Sequence, residues 1–455
     1  MNSRHAVPRT PRVRVVVLNY DGGEMTLRCL RKLREIDWPE DALDVVLVDN
    51  ASIDGIAPVI REEMPWVHLV EHTHNVGFAG GCNLGLRDFR DVDYVALLNN
   101  DTLPERAWLR PLVDALEADP TLGAACSKIV FAPRFLTLTL TTETFRPGND
   151  ARDLGVRITG LATDGEEVWK HTQFADGCHV VSTRGTGEEQ SCWTDGHAVV
   201  RIPVMPGEAV PQRLEIELAA ERSKAVTLDA GAGPVTVEVG TEPTWHELPL
   251  AGELYDVVNN VGSRLVLGGY GGDRGFLEPD RGQYAAAEEV FAWCGGAVLL
   301  SVRYLREVGV FDQRYFMYYE DTDLSWRGRL AGWRYLYVPE SVVRHEHAAS
   351  SKEGSSLFVH YVERNRFLTL ARNAPWSMLR EAVYVYLRDT VVIFDREVVR
   401  RLRHRARPQT ALVKMRTRAL LAFVKLSPAV VSSRAKQRVS AKRRAELVDR
   451  WAVPQ

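Results

Sequence analysis

The chain has 455 residues, 26% of them charged and 45% hydrophobic, and a formal net charge of −3. That is the make-up of an ordinary soluble protein with room for two or three domains. No 18-residue apolar run occurs, which excludes a bilayer-spanning helix, and MNSRHAVPRTPR lacks the apolar stretch of a signal peptide.

Charge is spread unevenly. Arg134 to Glu253 carries 19 acidic and 10 basic residues, whereas Asp395 to the end carries 17 basic and 4 acidic ones. A basic tail on an otherwise acidic chain suits an anionic partner such as lipid headgroups. It suits nucleic acid less, because few aromatics interleave with its arginines. The six cysteines (Cys29, Cys82, Cys126, Cys178, Cys192, Cys294) show no CxxC pair and read as reduced thiols. The expected location is cytoplasmic, peripheral at the inner face of the plasma membrane.

In chain order, residues 1–11 read as a flexible N-terminus. Val13 to Leu18 is a β-branched run suited to a strand buried on both faces. Asn19 to Gly23 turns it, and Met25, Leu27, Leu30 and Leu33 follow at helical spacing. Val45 to Val48 predicts a second strand ending in Asp49, and Val67 to Val70 a third. The glycine-rich loop Asn75 to Gly85 comes next, then a fourth strand, Tyr94 to Leu98, closing on Asn99-Asn100-Asp101. Strands alternating with helices imply a parallel α/β sheet, in which ligands sit at the carboxyl ends of the strands. Residues 12–131 therefore form one half of an α/β domain.

Residues 132–254 change texture to short period-two runs between Gly, Pro and Asp turns. They predict an inserted all-β module, a sandwich. Trp169, Trp193 and Trp245 lie within or beside it; buried they are core, the favoured reading, and exposed they could stack on sugar rings. The α/β pattern resumes over residues 255–352. There Tyr255 to Gly275 reads as loop, Val290 to Leu300 as a buried strand with a Gly-Gly approach point, and Tyr335 to Pro339 as another strand. Residues 353–455 turn helical: Leu357 to Ala371, Met378 to Phe394, and an apolar Leu420 to Val431 between arginines. This region either lies on a bilayer or caps the main domain.

Four polar clusters carry the chemistry. Asp49 ends the second strand, where an acid suits a base or ribose. The G-x-G-x-x-G turn of a dinucleotide site is absent after strand one. Asn99, Asn100 and Asp101 offer hard oxygen donors for a divalent cation; alone they are an ordinary turn and N-cap. Glu320, Asp321 and Asp323 crowd into YFMYYEDTDLSWR. By itself that pattern is an acidic first helical turn. His345 and His347 follow the last strand.

The ordered stretches VVVLNYDG, VVLVDNAS, NVGFAGGCNLG, LLNNDT and GGAVLLS through YFMYYEDTDLSWRGRLAGWRYLYVPESVVRH resemble the family 2 glycosyltransferases of GT-A fold, nearest a bacterial rhamnosyltransferase-like branch. The resemblance covers residues 12–131 and 255–372. It implies a nucleotide site around Asn19, Tyr20, Asp49, Gly81, Asn83, Asn99 and Asn100. Asp101 falls on the metal ligand of a DxD motif whose first acid is Asn99 here, and His345 completes that site, with His347 the second choice. Asp321 falls on the catalytic base, with Glu320 beside it. The implied reaction is an inverting, Mg²⁺- or Mn²⁺-dependent transfer from a nucleotide-diphospho-sugar, dTDP-L-rhamnose among the candidates. The implied acceptor is a glycan or a lipid-linked oligosaccharide in cell-surface polysaccharide synthesis. Adjacent acids argue against a retaining glycosidase, whose carboxyl groups flank the sugar about 5 Å apart. The alternative is a non-catalytic glycan-binding scaffold; it has no need to keep both Asp101 and Asp321.

Overall fold

The structure, a computed structural model, describes residues 9–148, 152–181, 191–346 and 355–454. His347 and the first eight residues of the expected flexible N-terminus lie outside these. The chain divides into two compact units, residues 1–130 with 258–455, and residues 131–257.

The first unit is built on a mixed sheet. Strands β1 (Val13–Asn19), β2 (Leu43–Asp49), β3 (Val67–Glu71) and β4 (Tyr94–Asn99) run parallel in the order β3-β2-β1-β4. Helices α1 (Gly23–Arg34), α2 (Ile56–Glu63) and α3 (Gly77–Gly85) connect them. Strand β1 is largely apolar, because both its faces are covered. Val13, Val15 and Val17 pack with Leu27, Leu30 and Leu33 of α1, while Val16 packs with Ala79 and Cys82 of α3. Each fully buried valine contributes about 1.5 kcal/mol or more.

The glycine-rich stretch expected as a loop is the helix α3. Its glycines let it lie close on β1. A Cβ at Gly81 would stand 2.3 Å from Leu18 Cδ1, and one at Gly85 2.4 Å from Val16 Cγ1.

Beyond β4 the sheet continues with β5 (Thr102–Pro104), helix α4 (Leu109–Ala118), β6 (Leu122–Phe131), β7 (Ala297–Ser301) and β8 (Arg334–His345). Strand β7 runs antiparallel between β4 and β6, and β5 pairs antiparallel with the end of β8. The strand expected from Val290 begins only at Ala297, because the backbone of Gly295 is turned toward helix α6 (Glu320–Ala331). The expected loop Tyr255 to Gly275 contains an antiparallel pair, Ser263–Val266 with Tyr270–Asp273. The α/β expectation holds, and the polar residues Asn19, Asp49 and Asn99 end neighbouring parallel strands.

The C-terminal helices are α7 (Ser356–Asn373), α8 (Trp376–Phe394), α9 (Ala411–Lys436) and α10 (Ala441–Trp451), with the short α5 (Val302–Val308) earlier in the chain. α9 packs along α7, and α10 reaches α6. Much of the basic tail is thus a packed cap. Arg434 donates to the carbonyl of Ala374 at 2.6 Å, and Arg444 to those of Arg372 and Asn373 at 2.9 Å. These guanidiniums satisfy carbonyls left over at the α7 C-terminus. No helix among the described residues is long and apolar enough to cross a membrane.

The second unit is all-β. One sheet runs Gln173–Phe174, His197–Val204, Arg134–Thr142, Lys224–Asp229, Val235–Val239. The other runs Cys178–Val181, Ser191–Thr194, Arg157–Thr163, Arg213–Ala219, Thr244–Pro249. Leu138, Leu140, Ile202 and Val226 of the first meet Ile158, Leu214 and Ile216 of the second in one core. The tryptophans divide: Trp169 is half-buried and packs against that core, Trp193 is half-buried, and Trp245 is 54% exposed. Trp245 projects from the outer face, where its ring covers Gly160.

Candidate active site

Asn19 organises the ends of the parallel strands. It is fully buried, and its amide nitrogen donates to Asp49 Oδ1 (3.2 Å), Ser52 Oγ (2.9 Å) and Asp54 Oδ2 (3.0 Å). Its oxygen accepts from Gly22 N, Thr26 Oγ1 and Asn100 Nδ2. Asn19 thereby ties β1, β2 and the end of β4 together. Gly22 has no alternative here, since a Cβ would stand 2.2 Å from Asn100 Nδ2. Tyr20 next to it is 49% exposed.

Gly81 and Asn83, named as nucleotide-site residues, have packing partners of their own. Gly81 admits Leu18, and Asn83 spends both ends of its amide on the backbone of Phe311, at 2.8 and 3.2 Å. Asn83 thus fixes the loop that leads into YFMYY.

The β5–β8 pairing sets His345 opposite Thr102, one residue past Asp101. His345 Nε2 lies 3.0 Å from Asp101 Oδ1, and its Nδ1 lies 3.1 Å from Asn259 Oδ1. An imidazolium would donate to both oxygens. With Nδ1–H retained on Asn259, Nε2 instead presents a lone pair beside a carboxylate, the donor arrangement of a divalent cation with an oriented histidine. The residues fit such an ion as a two-ligand site, leaving further positions to water and phosphate. Among the described residues no group of three or more His, Cys, Asp and Glu gathers to hold a metal. Asn99 cannot add a carboxylate.

Helix α6 opens on the acidic cluster after a strained approach. Phe316, Tyr318 and Tyr319 all have positive φ, at 64°, 66° and 69°. Each such bulky residue costs about 1–3 kcal/mol and persists only where its surroundings over-determine it. Asn365 of α7 supplies that constraint, its amide nitrogen facing the carbonyls of Tyr315, Met317 and Tyr318 at 2.8–2.9 Å. Arg364 adds bonds to the carbonyls of Arg314 and Tyr315.

The three acids have three different surroundings. Asp323 is fully buried and accepts from Tyr315, Arg327, Arg372 and Asn373; it is a structural anchor. Asp321 accepts from Gly295 N (3.1 Å), Thr322 N (2.6 Å) and Thr322 Oγ1 (3.2 Å). Burial raises its pKa, and those N–H donors oppose the rise. Glu320 is 6% exposed and its Oε2 has no partner. Burial, and then the charge of Asp321, push its carboxyl well above the usual range. With N–H donors on one acid and none on the orphan oxygen of the other, the surroundings favour the negative charge on Asp321 over Glu320.

This assignment has a stability signature. A carboxyl whose folded pKa is raised contributes stability that is full below its unfolded value, 4.5 for Glu320, and is lost as pH rises through the folded value. Glu320→Gln removes that loss. The Tm of the variant is expected to gain on the wild type as pH rises from 4.5 toward 8 in a thermal-melt series; a constant gap would contradict a protonated Glu320.

The two clusters are linked by two glycines. Gly295 N donates to Asp321, and Gly296 O accepts from Asn99 N at 2.9 Å. Gly295 and Gly296 are the Gly-Gly approach point noted in the sequence, whereas Asp54, Asn259, Asn365 and Arg372 were not singled out there, where an isolated Asn or Arg inside loop or helix carries no signal.

Residues 14–161 match the family model described as glycosyl transferase family 2. An N-acetylglucosaminyl-diphospho-decaprenol L-rhamnosyltransferase of Mycobacterium tuberculosis is 38% identical over 93 residues, 20% of this chain and 30% of the relative. Cellulose synthase 2 of Novacetimonas hansenii is 26% identical over 147 residues, 32% of this chain and 9% of the relative. The chain thus spans under a third of the length of these relatives. A mannosyltransferase of Pyrobaculum calidifontis, solved in complex with GDP-Man and Mn²⁺, aligns with TM-score 0.41 at 17% identity, covering 94% of this chain and 86% of that one. Glu320, Asp321 and His345 all lie beyond the segment matched to the family model.

Proposed function

We propose, from the match of residues 14–161 to the family model described as glycosyl transferase family 2, that this chain is a metal-dependent inverting glycosyltransferase. Its donor is a nucleotide-diphospho-sugar, and its acceptor a glycan or lipid-linked glycan of bacterial cell-surface polysaccharide. L-Rhamnose is the first sugar to test, since the mycobacterial relative is named for it.

The observation that carries this reading is Asp321. It is an oriented carboxyl group whose Gly295 donor adjoins the segment bonded to the end of β4. A hydroxyl is a poor nucleophile at neutral pH, so Asp321 takes its proton as the acceptor oxygen attacks the anomeric carbon. One displacement inverts configuration. Burial disfavours a charge on Glu320, which would spare the base a second adjacent charge. Asp101 and His345 would hold a Mg²⁺ or Mn²⁺ ion, which when bound supplies Lewis-acid stabilisation of the departing diphosphate. Asn19 positions Asp49 for the nucleoside, and the exposed ring of Tyr20 offers a face to its base. Gly81, Asn83, Asn99 and Asn100 shape this wall without taking part in proton transfer.

The test is a panel of nucleotide sugars screened by thermal shift with and without Mn²⁺. A ligand that binds the native state raises Tm. One donor is expected to raise it further when Mn²⁺ is present, and Asp101→Ala to abolish the Mn²⁺-dependent part. No shift with any nucleotide sugar would remove the proposal.

A further inference from the structure

The outward faces of α8 and α9 carry apolar stripes that the fold leaves uncovered. On α8, Tyr384, Leu387, Val391 and Phe394 recur at intervals of three and four residues and are 66%, 44%, 68% and 46% exposed. Leu379, Ala382 and Tyr386 occupy the opposite, buried face. On α9, Leu421, Val424 and Val431, three and seven residues apart, are 63%, 58% and 39% exposed, against buried Ala419, Phe423 and Val430. Arg416 of α9 stacks 3.7 Å from the centroid of Tyr386, so the two helices adjoin. Apolar residues scattered singly need no explanation; stripes on adjoining helices do.

Charge identifies the occupant. From Arg380 to Lys425 the chain has 12 basic and 4 acidic residues. The segment joining the helices exposes Arg403, Arg405 and Arg407 beside Leu402, which is 57% exposed. A face made for a second copy of the chain would have a core depleted of charge. A helix face with an apolar stripe bordered by arginines is instead suited to the boundary between headgroups and acyl chains.

We infer that the outer faces of α8 and α9 seat the protein on an anionic lipid bilayer, with Leu387 and Val391 entering the acyl boundary and the Arg403–Arg407 segment meeting the headgroups. This goes beyond the transfer reaction, and it is tested without substrate, so its failure leaves that proposal standing.

The experiment is flotation of the full chain with vesicles of phosphatidylcholine, alone or with about 30% phosphatidylglycerol. The wild type is expected to float with the anionic vesicles about tenfold more than with neutral ones, and to lose this preference at about 1 M salt, where screening is short-ranged. Leu387→Glu with Val391→Glu should cut binding about tenfold or more at an unchanged Tm, both positions being exposed. Replacing Arg403, Arg405 and Arg407 by Ser should remove the anionic preference. The inference is overturned if the wild type binds neither vesicle, or if the double variant floats like the wild type. It is equally overturned if sedimentation shows a wild-type dimer that the same two changes convert to monomer.

Discussion

Asp321→Asn is expected to lower turnover about 10²-fold or more while leaving donor binding nearly intact, as for loss of a general base. Asparagine keeps the shape and one acceptor oxygen for Gly295 N or Thr322 N, so the loop geometry survives. What it loses is the capacity to take a proton. The base works only when ionised, and burial raises its pKa above the ordinary 3.8. The wild-type kcat/KM should therefore fall on the acid side at a pH above 3.8, and this limb should vanish from the residual activity of the variant. Turnover under saturating donor and acceptor, with donor affinity measured separately, checks both parts. Unchanged turnover would take Asp321 out of the mechanism.

Arg372→Met is expected to destabilise the fold by about 3–5 kcal/mol, the range found when one partner of a buried ion pair is removed. Arg372 is 1% exposed and bridges Asp323 of α6, at 2.6 Å, and Asp312 in the loop before it. Asp323 and Tyr315 raise the Arg372 pKa against the opposing effect of burial. Burial likewise works against ionised Asp312, yet Arg314 and Arg372 hold its pKa down at about 2. That lowered value contributes stability above 3.8, the unfolded pKa, which is lost as pH falls through about 2. Methionine fills much of the volume but leaves both carboxylates without their shared cation. Chemical denaturation at neutral pH reads the loss. A double variant, Arg372→Met with Asp323→Asn, should lose less than the sum of its parts, because the second change removes a charge the first has stranded. Equal stability of wild type and Arg372→Met would show that the network anchors nothing. Its position matters for function: this cluster holds the first turn of α6, where Glu320 and Asp321 sit, to α7.

Helices α7 to α10 therefore serve the site as well as the surface. Asn365 braces the three left-handed residues before α6, Arg372 anchors its first turn, and Arg434 and Arg444 brace the end of α7 in turn. A strained approach loop keeps one geometry only when something packed against it forbids the others.

The sequence by itself determined the parallel sheet, the positions where its strands end, the all-β texture of the middle segment and the helical C-terminus. These features are written in hydrophobic periods of two and 3.6 and in β-branched runs, which act between near neighbours in the chain. It also presented Asp49, Asp101, Asp321 and His345 as the residues with chemistry to offer. Only the tertiary structure decided what each one meets. The pairing of β5 with β8 brings His345 to Asp101 across 244 positions. Backbone N–H groups reach Asp321, while Glu320 Oε2 has none. Glycines read as a loop form a helix that lies close on β1, where Leu18 and Val16 fill the space their side chains would take. Long-range pairing and burial depend on which distant surfaces meet, and no local pattern encodes that.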